Sequence, residues 1–168
     1  MKTQKLVPVI LTLSALVALI SSFTLSHVKR VEIPVSQAET KMHSDSLNLS
    51  KYKGKVVVLN FWASWSKISR SENKNIVRVY QKYKSNPKVV FVSVSLDTDQ
   101  TSWKGAIEED ELAWPEHVCD FKKYESPIAL KYSVNTLPKI MLIDTKGIIS
   151  SSSAKMVDIE NNIDALLK

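Results

Sequence analysis

Cysteine is almost absent from this sequence, with Cys119 the single one among 168 residues. One thiol excludes a disulfide bond within the chain. Glycine is scarce as well, with three residues, while hydrophobic residues make up 44% and charged residues 24% of the chain. This composition excludes an intrinsically disordered chain and predicts a packed globular body.

Strong charge of one sign is also lacking, because the formal net charge of +6 is a mild excess. The basic stretches, residues 51–55 and 74–88, alternate with aromatic and aliphatic residues at helical or strand spacing. Such spacing is typical of solvated surface and not of a nucleic-acid interface. We therefore expect no nucleic-acid partner.

The N-terminal residues carry a membrane-targeting signal. Lys2 and Lys5 precede an apolar or hydroxylic run, residues 6–25, that is long enough to span a bilayer, and small residues near its end suit signal-peptidase cleavage. Residues 1–26 are predicted to be either a signal peptide or a signal anchor, residues 27–46 a polar stalk, and residues 47–168 a folded domain. We expect this domain in the cell envelope, outside the cytoplasm, either membrane-anchored or secreted.

Strand-like and helix-like patterns alternate along the predicted domain. Residues 56–61 form a short apolar run, typical of a strand buried on both faces, and the helix that follows is predicted to end before Pro87. The order predicts an α/β sheet covered on both faces. Further strands are predicted at 89–96, at 140–143 and after the turn at 146–147, and further helices around Trp103, within 121–132 and at the C-terminus.

Four short segments carry a family resemblance. They are Val58-Leu59-Asn60-Phe61-Trp62-Ala63-Ser64-Trp65, Asp97 with Trp103, Leu137-Pro138, and Leu142-Ile143-Asp144. Together they resemble the thioredoxin superfamily, and most closely its TlpA-like branch of envelope thiol-disulfide oxidoreductases, over residues 47–168. The resemblance implies a thioredoxin-like α/β fold, with a mixed central sheet flanked by helices.

The redox cysteines of that branch are replaced in this chain. After Trp65, where the family has Cys-x-x-Cys, the sequence reads Ser66-Lys67-Ile68-Ser69. Dithiol exchange needs a first thiol whose pKa is lowered at the helix N-terminus and a second thiol that resolves the mixed disulfide. A serine hydroxyl stays protonated near neutral pH and forms no disulfide. The resemblance therefore implies the family fold at a degenerate site, with no cofactor.

The two serines have structural explanations. Ser66 is predicted to be the N-cap of the first long helix, and Ser69 with Glu72 fits a capping box one turn later. Asn60 stands where cytosolic thioredoxins bury an acid, and we expect neighbouring backbone to satisfy its amide. A Ser-His pair would require His117, which is distant in the sequence. We therefore predict no catalytic residue here.

Leu137 and Pro138 are the best-preserved part of the site region. In the family the matching proline is cis, and the residue before it presents backbone groups to extended peptides. The resemblance implies a peptide-binding groove formed by Trp65, Ser66, Leu137 and Pro138, either retained or a remnant. Trp62 is expected in the core and Trp65 at the surface. The partner would be an envelope protein or peptide.

Cys119 lies in segment 114–120, which resembles an edge segment of the family, away from the first helix. We expect its acidic neighbours Glu116 and Asp120 to raise its pKa and leave a partly buried, inert thiol. An intermolecular disulfide is the alternative. A metal site with His117 would have two ligands where structural sites use four, so no metal is predicted.

Three functions compete. The first is a redox-inactive binding module that uses the groove. The second is a monothiol oxidoreductase or peroxidase acting through Cys119. The third is a purely structural subunit or a decaying duplicate of an active relative, which the sequence does not separate from the first. The fold by itself decides among none of them.

Overall fold

The structure, a computed structural model, describes residues 47–168. The predicted signal segment, 1–26, and the predicted stalk, 27–46, lie outside the described residues. Across residues 47–168, every helix is too short or too polar to cross a membrane.

One mixed sheet organises the described chain. Its strands are β1 (Val56–Trp62), β2 (Val89–Ser95), β3 (Glu116–Cys119), β4 (Lys139–Ile143) and β5 (Ile149–Ser153). They lie in the order β3-β2-β1-β4-β5. The first three are mutually parallel, whereas β4 runs antiparallel to β1 and β5 antiparallel to β4. Every residue of β1 is buried, as predicted for a central strand.

Helices cover the sheet. They are α1 (Lys67–Tyr83), α2 (Gln100–Glu109), α3 (Pro127–Lys131) and α4 (Met156–Leu166), with short 3-10 helices at Leu49–Tyr52 and Lys123–Glu125. The short helix predicted within 121–132 is present as α3, but it is shorter than that range and follows a separate 3-10 helix, because Ser126 caps a new helix that begins at Pro127. Proline lacks the backbone N–H that a continuing helix would need, but it suits a first helical position.

Two apolar layers pack against opposite faces of the sheet. One layer joins β1 and β2 to α1, α2 and α4, and the other joins them to α3 and to the N-terminal 3-10 helix. Side chains alternate along each strand, so Phe61 enters one layer and Trp62 the other. The structure therefore confirms a thioredoxin-like α/β fold with a mixed sheet flanked by helices.

The carboxyl ends of the parallel strands lie side by side at one end of the sheet. Ser95 at the end of β2 pairs with Trp62 at the end of β1 and with Cys119 at the end of β3. Lys139 at the start of β4 pairs with Phe61. The loop into α1 and the segment before β4 therefore lie at this same end of the sheet. Ligands of open α/β sheets bind beyond the carboxyl ends of the parallel strands.

Candidate functional site

Ser66 and Ser69 face each other at the start of α1. Ser66 has an extended backbone, and its Oγ accepts the backbone N–H of Ser69 at 3.3 Å. The Ser69 hydroxyl donates to the same oxygen at 2.8 Å. The structure confirms Ser66 as the N-cap of α1. The two hydroxyls stand where the resemblance places the two thiols.

The predicted capping box at Ser69 and Glu72 is wrong. Ser69 is buried inside α1, where its hydroxyl is bonded to Ser66. The carboxylate of Glu72 instead accepts the backbone N–H of Met156 at 2.6 Å. Met156 begins α4, and Lys155 before it provides no side-chain cap. Glu72 therefore stabilises the N-terminus of another helix, through a contact that local sequence does not reveal.

Asp97 holds the loop that leads into α1. Its side chain is buried, with a residue exposure of 1%, just after β2. The carboxylate accepts the Ser64 backbone N–H at 3.0 Å and the Ser64 hydroxyl at 2.6 Å. The Ser95 hydroxyl donates to it as well. Hydrogen bonds to a carboxylate are stronger than neutral ones, so Asp97 fixes the position of Ser64 and of Trp65 after it. Asp97 was part of the family resemblance, but its role in holding this loop was not predicted from the sequence.

A buried polar chain lies behind α1. The Asn60 amide donates to Asn73 Oδ1 at 3.5 Å, and the Asn73 amide donates to Asp110 at 2.6 Å. Arg70 Nε also donates to Asp110, at 2.5 Å, and this bond, with a second one to Glu109, raises the pKa of Arg70. Asn60 Oδ1 has no hydrogen-bond partner within residues 47–168. The prediction that neighbouring backbone satisfies Asn60 is therefore wrong.

The segment before β4 contains a cis peptide bond between Leu137 and Pro138, as predicted. Pro138 is buried, and Leu137 is half-buried against the apolar layer that contains Phe61. Because Lys139 pairs with Phe61, this bond lies at the end of the sheet where the loop into α1 begins. The structure thus places Leu137 and Pro138 at the same end of the sheet as Trp65 and Ser66.

Trp62, the last residue of β1, and Trp65, in the loop after it, behave as predicted. Trp62 is fully buried, whereas Trp65 is 47% exposed. The Trp65 ring meets the edge of Tyr124, with centroids 6.4 Å apart, and Lys123 Nζ lies 5.2 Å from its centroid. Ile68, in the first turn of α1, is 69% exposed. An apolar surface with a neighbouring cation therefore flanks the serine pair.

Cys119 is more deeply buried than predicted, with an exposure of 4%. Its pKa is raised chiefly by burial, and the charge of Asp97 adds to the effect. The predicted direction is right, but the predicted cause, the charges of Glu116 and Asp120, is wrong. The strand lies at an edge of the sheet as expected. However, Cys119 is not remote from the loop into α1, because its Sγ donates at 3.6 Å to the main-chain oxygen of Asp97.

His117 has a local partner. Its Nε2 donates to the Leu112 carbonyl at 3.1 Å, and its ring stacks on Trp114 with centroids 5.5 Å apart. Burial lowers its pKa. Its hydrogen bond thus goes to Leu112 and not to either serine. Among the described residues, no group of three or more potential ligand side chains could hold a metal ion.

The sequence matches a family described as thioredoxin-like over residues 54–149, and the chain belongs to this family. Its homologues are thiol-disulfide oxidoreductases. Thiol-disulfide oxidoreductase ResA from a strain of Bacillus cereus is 32% identical over 64% of this chain and 60% of that protein. ResA from Geobacillus kaustophilus is 30% identical over 76% of this chain and 72% of that protein. The chain thus spans 60% of the length of several Bacillus relatives.

A solved structure supports the same assignment. The thiol-disulfide oxidoreductase from Bacteroides fragilis superposes with a TM-score of 0.62 at 31% identity, covering 69% of this chain and 88% of that one. The fold and the family are therefore those of thiol-disulfide oxidoreductases. The chemistry at Ser66 and Ser69 requires a separate argument, because a fold hosts many functions.

Proposed function

We propose that this protein is a redox-inactive thioredoxin-like module of the cell envelope that binds a protein or peptide without exchanging disulfides. The observation that carries the proposal is the serine pair. Ser66 and Ser69 are hydrogen-bonded to each other at 2.8 Å at the N-terminus of α1. Hydroxyls at this position cap the helix but form no disulfide, so the site has no means of carrying electrons.

Cys119 does not replace the missing thiols. A reactive cysteine is accessible and has a lowered pKa, since the thiolate is the nucleophile. Cys119 is buried, and its pKa is raised. It also lies at the end of β3, where its Sγ contacts the Asp97 main chain and not a helix N-terminus. Both properties argue against a monothiol enzyme.

The surface beside the serine pair supports a binding role. Trp65 and Ile68 are two of the four large hydrophobic residues exposed in the described part of the chain. They lie at the end of the sheet where the cis Leu137–Pro138 bond is also found. Exposed apolar surface of this kind is typical of an interaction site. We therefore assign the groove of Trp65, Ser66, Leu137 and Pro138 to a protein or peptide partner.

The envelope location rests on the sequence of the first residues. The run 6–25 suits either an anchor or a cleaved signal, so the module is membrane-anchored through it or secreted. The kinship with thiol-disulfide oxidoreductases is consistent with this location, since disulfides form and persist outside the cytoplasm.

Two measurements test the proposal. The first is insulin reduction, in which the full chain should give no turnover above a blank without protein. The second is a pull-down from envelope extract, comparing wild type with Trp65→Ala and with the matched control Val157→Ala, a comparably exposed apolar residue on α4. A partner kept by wild type and Val157→Ala but lost by Trp65→Ala supports binding at the groove.

The contrary results are equally definite. Turnover that disappears in Cys119→Ala, together with rapid iodoacetamide labelling of the native protein near neutral pH, would favour an enzyme acting through Cys119. A pull-down that is identical for all three proteins would favour the purely structural alternative.

A further inference from the structure

We propose that the groove selects an extended peptide with an acidic side chain next to an apolar one. This inference rests on the proposed binding function and specifies its partner. It depends on the Trp65 surface, which comprises Trp65, Lys67, Ile68, Lys123 and Tyr124. These residues come from the loop into α1, from the first turn of α1 and from the 3-10 helix Lys123–Glu125, and the loop meets the 3-10 helix at the contact between Trp65 and Tyr124.

The apolar part of this surface can hold one side chain of a partner. Trp65 is 47% exposed and Ile68 is 69% exposed. Tyr124 packs against the indole at a steep angle, with ring centroids 6.4 Å apart, so the Trp65 ring has a neighbour that supports it. A rigid aromatic ring loses little conformational entropy on binding, which makes it an effective anchor for an apolar side chain.

The cationic part of the surface is held by an uncommon backbone. Phe121 and Lys123 have φ values of 59° and 55°, in the left-handed region that favours glycine. For other residues this conformation costs about 1–2 kcal/mol each. The same loop places Lys123 Nζ 5.2 Å from the centroid of the Trp65 ring. Backbone strain of this kind is concentrated at binding sites, where the surrounding structure maintains it.

The acids of these segments do not neutralise the lysines. Lys67 and Lys123 form no ion pair among residues 47–168. The Asp97 carboxylate is buried and bonded to Ser64 and Ser95. Asp120 accepts the backbone N–H of Lys122 at 3.1 Å.

Positive charge therefore prevails at the Trp65 surface. Lys122, beside Lys123, is a further exposed cation, whereas Glu125 is the exposed carboxylate of the same turn. Complementary charge favours an anionic partner and disfavours a cationic one. An acidic side chain would pair with Lys123 while its apolar neighbour packs on Trp65.

Ser66 adds a hydrogen-bond donor. Its Oγ accepts both the backbone N–H and the hydroxyl of Ser69, which leaves its own hydrogen available to a ligand. Carboxylate and peptide carbonyl oxygens accept such a bond, whereas an ammonium group does not. The donor thus agrees with the charge.

The test uses two synthetic peptides with blocked ends. One alternates glutamate with leucine, and the other alternates lysine with leucine at the same length. Binding to the full chain is followed by the tryptophan indole N–H signals in NMR spectra. We expect the glutamate peptide to bind about tenfold more tightly at low salt, and its affinity to fall as salt increases.

Three variants locate the effect. Lys123→Gln should weaken the glutamate peptide about threefold to fivefold, by the loss of one rim charge. Lys84→Gln, at the exposed C-terminal end of α1, is the matched control and should leave the affinity unchanged. Trp65→Ala should abolish binding of both peptides.

Two results would overturn the acidic selectivity. If both peptides bind equally and Trp65→Ala abolishes both, the groove binds peptides without a charge preference, and the proposed binding function survives. If neither peptide binds while the pull-down still depends on Trp65, the partner is of another chemistry. A failed pull-down would count against the binding function itself.

Discussion

The two ends of α1 differ in how their charges are used. At the C-terminal end, Arg78 pairs with Glu160 and Lys82 with Asp164, both on α4. Tyr83 also donates to Asp164, at 2.7 Å. Before the N-terminal end and in its first turn, Trp65 and Ile68 are exposed, and Lys67 has no ion-pair partner among the described residues.

This difference separates a surface satisfied within the chain from one that is not. Arg78 and Lys82, near the C-terminal end, are matched by acids of α4, whereas Lys84 after them is exposed. The N-terminal end is rigidly supported by Asp97 below the loop and by the chain from Asn60 to Arg70 behind the helix. A rigid but uncovered surface is the kind that binds a partner without changing shape.

The largest expected effect tests what the serines removed. Ser66→Cys/Ser69→Cys should gain insulin-reducing activity about 100-fold above the blank without protein, at which wild type stays, because the helix N-terminus lowers a thiol pKa and the two side chains already face each other. The matched control, Gln81→Cys/Lys84→Cys, has the same spacing at the other end of α1 and should stay inactive. Both variants carry Cys119→Ala. Equal activity of the two pairs would contradict the comparison.

Next in size is the loss of the buried carboxylate below the loop. Asp97→Ala leaves the Ser64 N–H and the Ser95 hydroxyl without their acceptor, which should lower the free energy of unfolding by about 2–3 kcal/mol. Urea unfolding measures this change. Asp164→Ala, on α4 opposite the C-terminal end of α1, should cost clearly less, since Asp164 is exposed and water replaces its lost bonds. A larger loss in Asp164→Ala would reverse the assignment of the two ends.

A smaller effect concerns the helix cap. Ser66→Ala removes the acceptor of the Ser69 N–H and should lower the free energy of unfolding by about 1 kcal/mol. Ser71→Ala, at an exposed position within α1, is the control and should change stability little or raise it slightly, because alanine has the higher helix propensity. Thermal unfolding of the two variants distinguishes them. Equal losses would show that the cap contributes nothing.

The smallest effect is a pH dependence confined to the C-terminal end. The bond with Arg78 lowers the pKa of Glu160 below its usual 4.5, and the bonds with Tyr83 and Lys82 lower that of Asp164. A depressed carboxylate pKa stabilises the fold above the unfolded value, so this stability is lost as the pH falls below about 4.5.

Hydrogen exchange in this acid range measures the effect residue by residue. Protection should fall at the contact between α1 and α4, and Glu160→Gln should reduce the change. Lys67 and Ile68 at the start of α1 should respond less, since no acid pairs with Lys67 among the described residues, whereas Arg70 is paired with Glu109 and Asp110. A uniform loss of protection along α1 would contradict the comparison.

Much of this architecture could be predicted from local patterns. The run of valines before Phe61 predicted the central strand, Pro87 predicted the end of α1, and the serine after Trp65 predicted its N-cap. These features depend on neighbours in sequence, for which periodicity and capping rules suffice. The strand β3 was less evident, because its four residues include only two that are buried.

The wrong predictions share a cause, which is a partner distant in the sequence. Glu72 was assigned to a local capping box but bonds to Met156. Asn60 was assigned to nearby backbone but bonds to Asn73 across the interface of β1 and α1. The pKa of Cys119 was attributed to its sequence neighbours but follows from burial and Asp97. In each case a local explanation was available, but the packing of distant residues decided the surroundings of the side chain.

The sequence by itself determined the chemistry that is missing, since the identity of Ser66 and Ser69 decides that no disulfide can form there. It also determined the order of strands and helices apart from β3, because burial periodicity is written along the chain. Only the tertiary structure decided which charges are satisfied, because hydrogen bonds between distant residues depend on how the elements pack. That packing pairs Arg78 and Lys82 of α1 with acids of α4, and it leaves Trp65, Lys67 and Lys123 exposed near the start of α1.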